Sequence, residues 1–272
     1  NIWRFHHDWN ARRKILQTGF NQTEPDVTGF QEAIVTDEYD QPRDLLGPDY
    51  HYVHQSAREA DGSCVSIASR WPIGRVHELD GRRVGRAASA PFTCGSLIAE
   101  IEAPDPLGRF LFVNHIPSWQ LDWEYERETQ TVAVARLVDE IVDDPPAHVI
   151  LAGDLDATPE AASIRFLRGR QSIDGTSVSY FDAWATTHPG EHGYTFTPDN
   201  PMVPNGEDGA WALELGRRID YIFVRGRDHG PTLNIRSCTR LFTEPVDGVW
   251  ASDHFGVMAD LSTLLTDGRP VP

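Results

Sequence analysis

The chain has 272 residues, of which 40% are hydrophobic and 24% charged, and a formal net charge of −17. That is the composition of a globular protein with room for one large domain or two small ones. No run approaches the roughly 18 apolar residues that cross a bilayer as a helix. The acidic balance argues against a general nuclease, because proteins that grip nucleic acid through its phosphates usually present a basic surface.

Short apolar runs read as strands in chain order at Val27–Gln31, Cys64–Ser69, Ser96–Ile101, Phe110–Asn114, Val149–Ala152, Ile219–Val224, Leu233–Ser237 and Phe255–Leu261. Helices are expected over Trp9–Leu16, over Arg127–Val142, where Val134, Leu137, Val138 and Ile141 share a face, and over Pro159–Leu167. Residues 187–215, rich in Pro, Gly, Asn and Asp, read as a long functional loop. The strands are evenly spread and the helices interrupt them irregularly. This predicts one α/β domain over residues 1–272, built as a sandwich of two mixed sheets with helices outside.

Cys64, Cys94 and Cys238 are far apart and odd in number. They suggest neither a disulfide framework nor a zinc motif, and fit a reducing cytoplasm. No signal or transit peptide is read. The chain opens on Asn1 rather than Met, so removal of an upstream segment is expected. The arginines of three clusters, Arg82-Arg83 with Arg86, Arg168 with Arg170, and Arg217-Arg218, read as solvated surface groups rather than a phosphate track.

The most informative stretch is Gly153-Asp154-Leu155-Asp156, directly after the apolar run His148–Ala152. Side chains two apart on a strand share a side, and adjacent carboxylates repel unless a cation or proton lies between them. Hard divalent cations such as Mg²⁺ take such oxygen ligands. A plain Gly-Asp turn, with Asp156 or Thr158 capping the next helix, fits the same residues.

Five other strand ends carry polar side chains: Asn1-Ile2-Trp3, Gln31-Glu32, Asn114-His115, Ile219-Asp220-Tyr221 and Ser252-Asp253-His254. The ordered set resembles the endonuclease/exonuclease/phosphatase superfamily across almost the whole chain, from Asn1 to Leu261. Any one piece is weak; six in order are specific. The resemblance implies a DNase I-like four-layer α/β sandwich and divalent-metal-dependent cleavage of phosphate esters, with Mg²⁺ or Mn²⁺ as one or two ions.

Carried over residue by residue, the resemblance implies that Glu32 binds the metal, with Asn1 and Asp253 beside it. Asp154 orients or deprotonates the attacking water. His254 contacts the scissile phosphate and Asp220 hydrogen-bonds to His254. His115 is implied as a second phosphate contact or leaving-group acid. The family usually has asparagine where this chain has Asp156, and an ionised carboxylate cannot donate to phosphate. Asp156 is therefore expected to bind a metal, so that the site takes two cations or one displaced from the usual place.

Substrate contacts are expected from Asn1, Trp119, Tyr194 and Asn200, with Trp123 and Phe196 as further rim candidates. His6, His7, Trp9 and Arg12 are placed near the cleft mouth, His6-His7 as either a ligand pair or a solvated loop. Three functions stand in order: a phosphohydrolase acting on a small-molecule or lipid-like phosphate mono- or diester, a nuclease, and a non-catalytic binding module on the same fold.

Overall fold

The computed structural model describes residues 1–83, 86–87, 95–142, 148–203 and 216–263. Cys94 and the second half of the long loop lie outside these residues, while Cys64 and Cys238 are buried free thiols.

The central sheet is mixed. Its strands are β4 (Ile73–Asp80), β5 (Gly95–Glu102), β6 (Arg109–Ile116), β7 (His148–Asp154), β8 (Tyr180–Asp182), β9 (Asp220–Arg227) and β10 (Gly230–Pro231). They run in the order β10-β9-β7-β6-β5-β4, with β8 also on β9. Only β6 and β7 pair in parallel; the other pairs are antiparallel.

Both faces of the central strands are apolar, which makes them interior strands. Leu111, Val113, Val149 and Leu151 pack on one face with α3 (Glu124–Ile141) and α4 (Ala162–Leu167). Phe110, Phe112, Ile150 and Ala152 pack on the other, against the opposing strands β3 (Ser63–Ser69) and β11 (Asn234–Leu241).

The opposing layer comprises β1 (Val27–Ile34) and β2 (His51–His54), both paired with β3, and the hairpin of β11 with β12 (Gly256–Ser262). Outside it, Leu16 of α1 (Trp9–Thr23) and Leu45 of α2 (Gln41–Leu46) cover Phe30, Ala33 and Ala68. A further short helix, α5 (Ala183–Thr187), packs on the inner cluster through Ala183 and Trp184. The four layers are therefore helix, sheet, sheet, helix. Between β1 and β12 lies a cavity of about 350 Å³, and Asn1, Asp220 and His254 are among its lining residues.

Helix α1 runs past its expected end, to Thr23, and starts at an Asp8 cap whose carboxylate accepts from Ala11 N–H at 3.1 Å. Helix α4 opens at Ala162 rather than Pro159, because Thr158–Ala161 first closes a turn (Ala161 N–H to Thr158 O, 2.9 Å). Neither Asp156 nor Thr158 caps it. The Ser163 N–H is taken by the Glu124 carboxylate of α3 at 2.8 Å.

Candidate active site

The sheet geometry brings distant positions together at one end of the sandwich. β7 and β9 pair so that Asp154 lies directly opposite Asp220. The Gly-Asp pairing at the end of β7 has a steric cause: Gly153 has φ +153, and a Cβ there would lie 1.9 Å from the His115 carbonyl oxygen of the neighbouring strand. Glu32 sits in an irregularity of β1 between Phe30 and Ala33, with φ +53. Such a bulge re-aims the side chain.

Asn1 joins the two halves of the site. Its side-chain amide donates to Glu32 Oε1 at 3.1 Å and to Asp154 Oδ2 at 3.0 Å. The loop before β12 is pinned from three directions. The Ser252 hydroxyl donates to Asn1 O at 3.0 Å, the Asn200 amide donates to Ser252 O at 2.8 Å, and Arg12 Nε donates to Ala251 O at 2.9 Å.

His254 is buried and lies between carboxylates. Its Nδ1 is 3.0 Å from Asp220 Oδ2 and its Nε2 is 3.8 Å from Asp154 Oδ2. Phe196 packs on the ring, 5.0 Å between centroids. Burial favours the neutral ring, but Asp220, Asp154 and Asp253 outweigh it and raise its pKa to about 10. At neutral pH it is an imidazolium with both nitrogens donating. Burial also works against the charged form of Asp220, yet the adjacent His254 holds that carboxyl below its ordinary value.

The remaining carboxyls move the other way. Burial raises Asp154, and the Asp220 charge adds to it. Burial and the Asp154 charge push Asp156 well up. Asp253 is raised to about 6, first by burial, then by the charge of Glu32. Together, the acids offer oxygen donors whose ionised forms repel one another, and this set fits a hard divalent cation such as Mg²⁺ or Mn²⁺. Asp154, Asp220 and His254 also bring ligand-type atoms within 4.8 Å of one another. An imidazolium cannot ligate a metal, which leaves the carboxylates as the donors for a cation.

Arg4 closes this side of the site. Its Nε lies 3.2 Å from Glu32 Oε2 and its Nη1 3.0 Å from Asp61 Oδ2. Sequence reasoning passed over it because an isolated arginine in a loop carries no motif.

Several expected residues lie elsewhere. His115 is on the opposite face of β6 from Asn114 and points to α3. Its Nδ1 is 2.8 Å from Ser96 Oγ and its Nε2 3.4 Å from Thr131 Oγ1, and burial lowers its pKa to about 4. The structure does not bring it to the cluster. Asn114 is the polar residue that faces inward; its amide donates to Phe30 O and Ser66 O, both at 2.9 Å, and its oxygen accepts from Gln31.

Asn200 is fully buried, and its amide is spent on Ser252 O and Asp253 O, so it positions the His254 loop rather than meeting a substrate. Arg12 is fully buried, not at the cleft mouth; burial lowers its pKa to about 10. Arg218 is no solvated group either: it is buried against Asp182 at 2.9 Å.

Asp156 follows β7 with φ +49, its N–H reaching Asp154 Oδ1 at 3.3 Å and its carbonyl accepting from Arg217. The two aspartates therefore approach through a turn, not through strand alternation. Tyr194 stacks on His192, and next to it the Thr195 hydroxyl accepts from Ile219 and Asp220 N–H. Trp119 stands 49% exposed in the loop after β6, and Arg86 packs over the Trp123 ring. His6 and His7 are exposed and lean on Trp3.

Residues 1–254 match the model of the Endonuclease/Exonuclease/phosphatase family. The chain belongs to this family. Its members are hydrolases of phosphate esters that generally use divalent metal ions. No curated protein matches the sequence.

Among solved structures, the chain is similar to a humanized D. rerio TDP2 carrying 14 mutations (21% identity, TM-score 0.71, covering 96% of this chain and 97% of that one). It is also similar to the human Nocturnin catalytic domain with bound sulfate (17%, TM-score 0.69, 94% and 87%). A third is a Bacteroides thetaiotaomicron mannosyl-6-phosphatase (18%, TM-score 0.68, 93% and 91%). These likenesses show a DNase I-like fold. No helix among the described residues is long and apolar enough to cross a membrane.

Proposed function

We propose that the chain is a divalent-metal-dependent phosphoesterase that hydrolyses a phosphate mono- or diester of a small molecule or lipid head group by in-line attack of water. The observation that carries this is the Asp220–His254–Asp154 array, joined through Asn1 to Glu32. One buried imidazolium and one carboxylate with a raised pKa stand side by side, which is a proton donor next to a proton acceptor.

Asp220 keeps Nδ1 of His254 occupied, so Nε2, on the Asp154 side, is the N–H that would stabilise negative charge on the phosphate oxygens and hand its proton to the departing oxygen while Asp154 takes one from the water. Asp154, whose carboxyl burial raises above its ordinary value, orients and deprotonates the attacking water. Asn1 fixes Asp154 and Glu32 in one frame, so water and phosphate are held in line. Glu32 with Asp253, Asn1 and Asp156 would hold the cation, which supplies neutralisation of the phosphate oxygens when bound. Trp119 and Tyr194 serve as rim contacts for the rest of the substrate.

Assays of p-nitrophenyl phosphate, bis(p-nitrophenyl) phosphate, sugar phosphates and phospholipid head groups with Mg²⁺, Mn²⁺ and Ca²⁺ test this. Turnover of a small ester that disappears with EDTA supports it; absence of turnover with every metal rejects it. A second reading, a nuclease, gains from the similar D. rerio TDP2 structure complexed with single-strand DNA product (20% identity, TM-score 0.72, covering 95% of this chain and 94% of that one). The net charge of −17 weighs against it. Robust cleavage of plasmid, single-stranded DNA or RNA at low enzyme would favour the nuclease.

A further inference from the structure

Arg4 sits against Glu32, the carboxylate proposed above as a holder of the cation, at 3.2 Å. Its backbone is fixed: Arg4 N–H donates to Glu32 O at 3.1 Å, and Arg4 O accepts from the Gln41 side chain at 3.1 Å. Its guanidinium is shared between two carboxylates. Glu32 offers only Oε2, because Oε1 is taken by Asn1. Asp61 is an anchor of its own: its other oxygen accepts from Ser63 N–H at 2.9 Å. Burial alone would raise that carboxyl, but the Ser63 bonds and Arg4 hold it below its ordinary value.

We propose that Arg4 is an internal competitor of the divalent cation for Glu32, with Asp61 as the second seat that holds the guanidinium when the cation takes Glu32. This inference rests on the metal-dependent reading above. Arg4 thereby sets the concentration of divalent ion at which the site loads. The competition is physical: one oxygen of Glu32 cannot serve a guanidinium and a hard dication at full strength.

Isothermal titration of the intact chain with MnCl₂ tests this, using wild type, Arg4→Gln, Asp61→Asn and the double variant, each first checked for an unchanged melting profile. Arg4→Gln should bind Mn²⁺ about fivefold tighter, the scale of a partly exposed ion pair. Asp61→Asn should bind it about threefold more weakly, because the Arg4 guanidinium loses its second seat and stays longer on Glu32.

The decisive comparison is the double variant, whose affinity should match that of Arg4→Gln. If Asp61→Asn costs the same factor with and without Arg4, the two charges act only as a general field and the proposal is overturned. If Arg4→Gln, and a second variant Arg4→Met, bind no tighter than wild type, it is overturned as well. Absence of Mn²⁺ binding in every variant would reject the metal-dependent reading itself, an outcome distinct from either of these.

Discussion

Asp220 Oδ2 and His254 Nδ1 meet at 3.0 Å although 34 positions separate them, and the pair is buried. Asp220 touches the ring, not the substrate, so it is a positioning residue. Asp220→Asn should lower kcat about 10²–10³-fold. It should also move the alkaline limb of the kcat/KM profile down, because the Asp220 charge is the largest of the influences raising His254 to about 10. A pH–rate series in Mn²⁺ reads both effects; an unmoved alkaline limb would remove Asp220 from this role.

The same pair makes metal-free stability depend on pH. His254 has a folded pKa of about 10 against an ordinary 6.5. Its contribution is therefore complete below about 6.5 and is lost as pH rises through about 10. Asp253, raised from 3.8 to about 6, acts in the same direction at lower pH. Melting curves in EDTA from pH 5 to 10.5 should show Tm falling throughout, with a shallower fall above pH 6.5 in His254→Gln. Equal slopes in the two proteins would contradict the assignment.

Asp156 is raised first by burial and then by Asp154. Asp156→Asn removes that repulsion, so the metal-free protein should melt slightly higher. The variant should also gain less from Mn²⁺ than wild type, for which a concentration ten times Kd adds about 1.4 kcal/mol, or about 3 °C. Equal gains, with equal ion stoichiometry, would show that Asp156 takes no part in metal binding.

His115 lies against Ser96 and Thr131 with its pKa lowered by burial to about 4. His115→Gln should lower Tm while leaving kcat/KM within about threefold of wild type and the pH limbs in place. A 10²-fold loss of kcat/KM at a temperature where the variant is folded would return His115 to the reaction.

His115 also shows where sequence reading ends. Alternation places Asn114 and His115 on opposite faces of β6, but which face meets the site depends on register with β7, where Asn114 pairs with Ala152. Register is a tertiary property that the strand's own residues do not state. The strands whose two faces are both apolar, β6 and β7, were legible for the same reason that they are central. β4 was not: its solvent-facing Gly74, Arg75 and Val76 and its position at the sheet edge leave little apolar pattern.

Glu32, Asp154, Asp220 and His254 were legible as motifs, because turns and strand ends keep their residue types. Arg4 and Thr195 were not, and Arg12, expected at the cleft mouth, is buried. They act through backbone contacts and ion pairs to residues far along the chain, such as Arg12 to Ala251.

In the proposed reaction Asp154 and His254 work as acceptor and donor in one metal-dependent hydrolysis. The most direct measurement is kcat/KM for bis(p-nitrophenyl) phosphate or the best ester found, in saturating Mn²⁺, for wild type, Asp154→Asn and His254→Ala. Losses of at least about 10²-fold are expected in each variant, with Mn²⁺ still bound. Wild-type rates in either variant would contradict these roles.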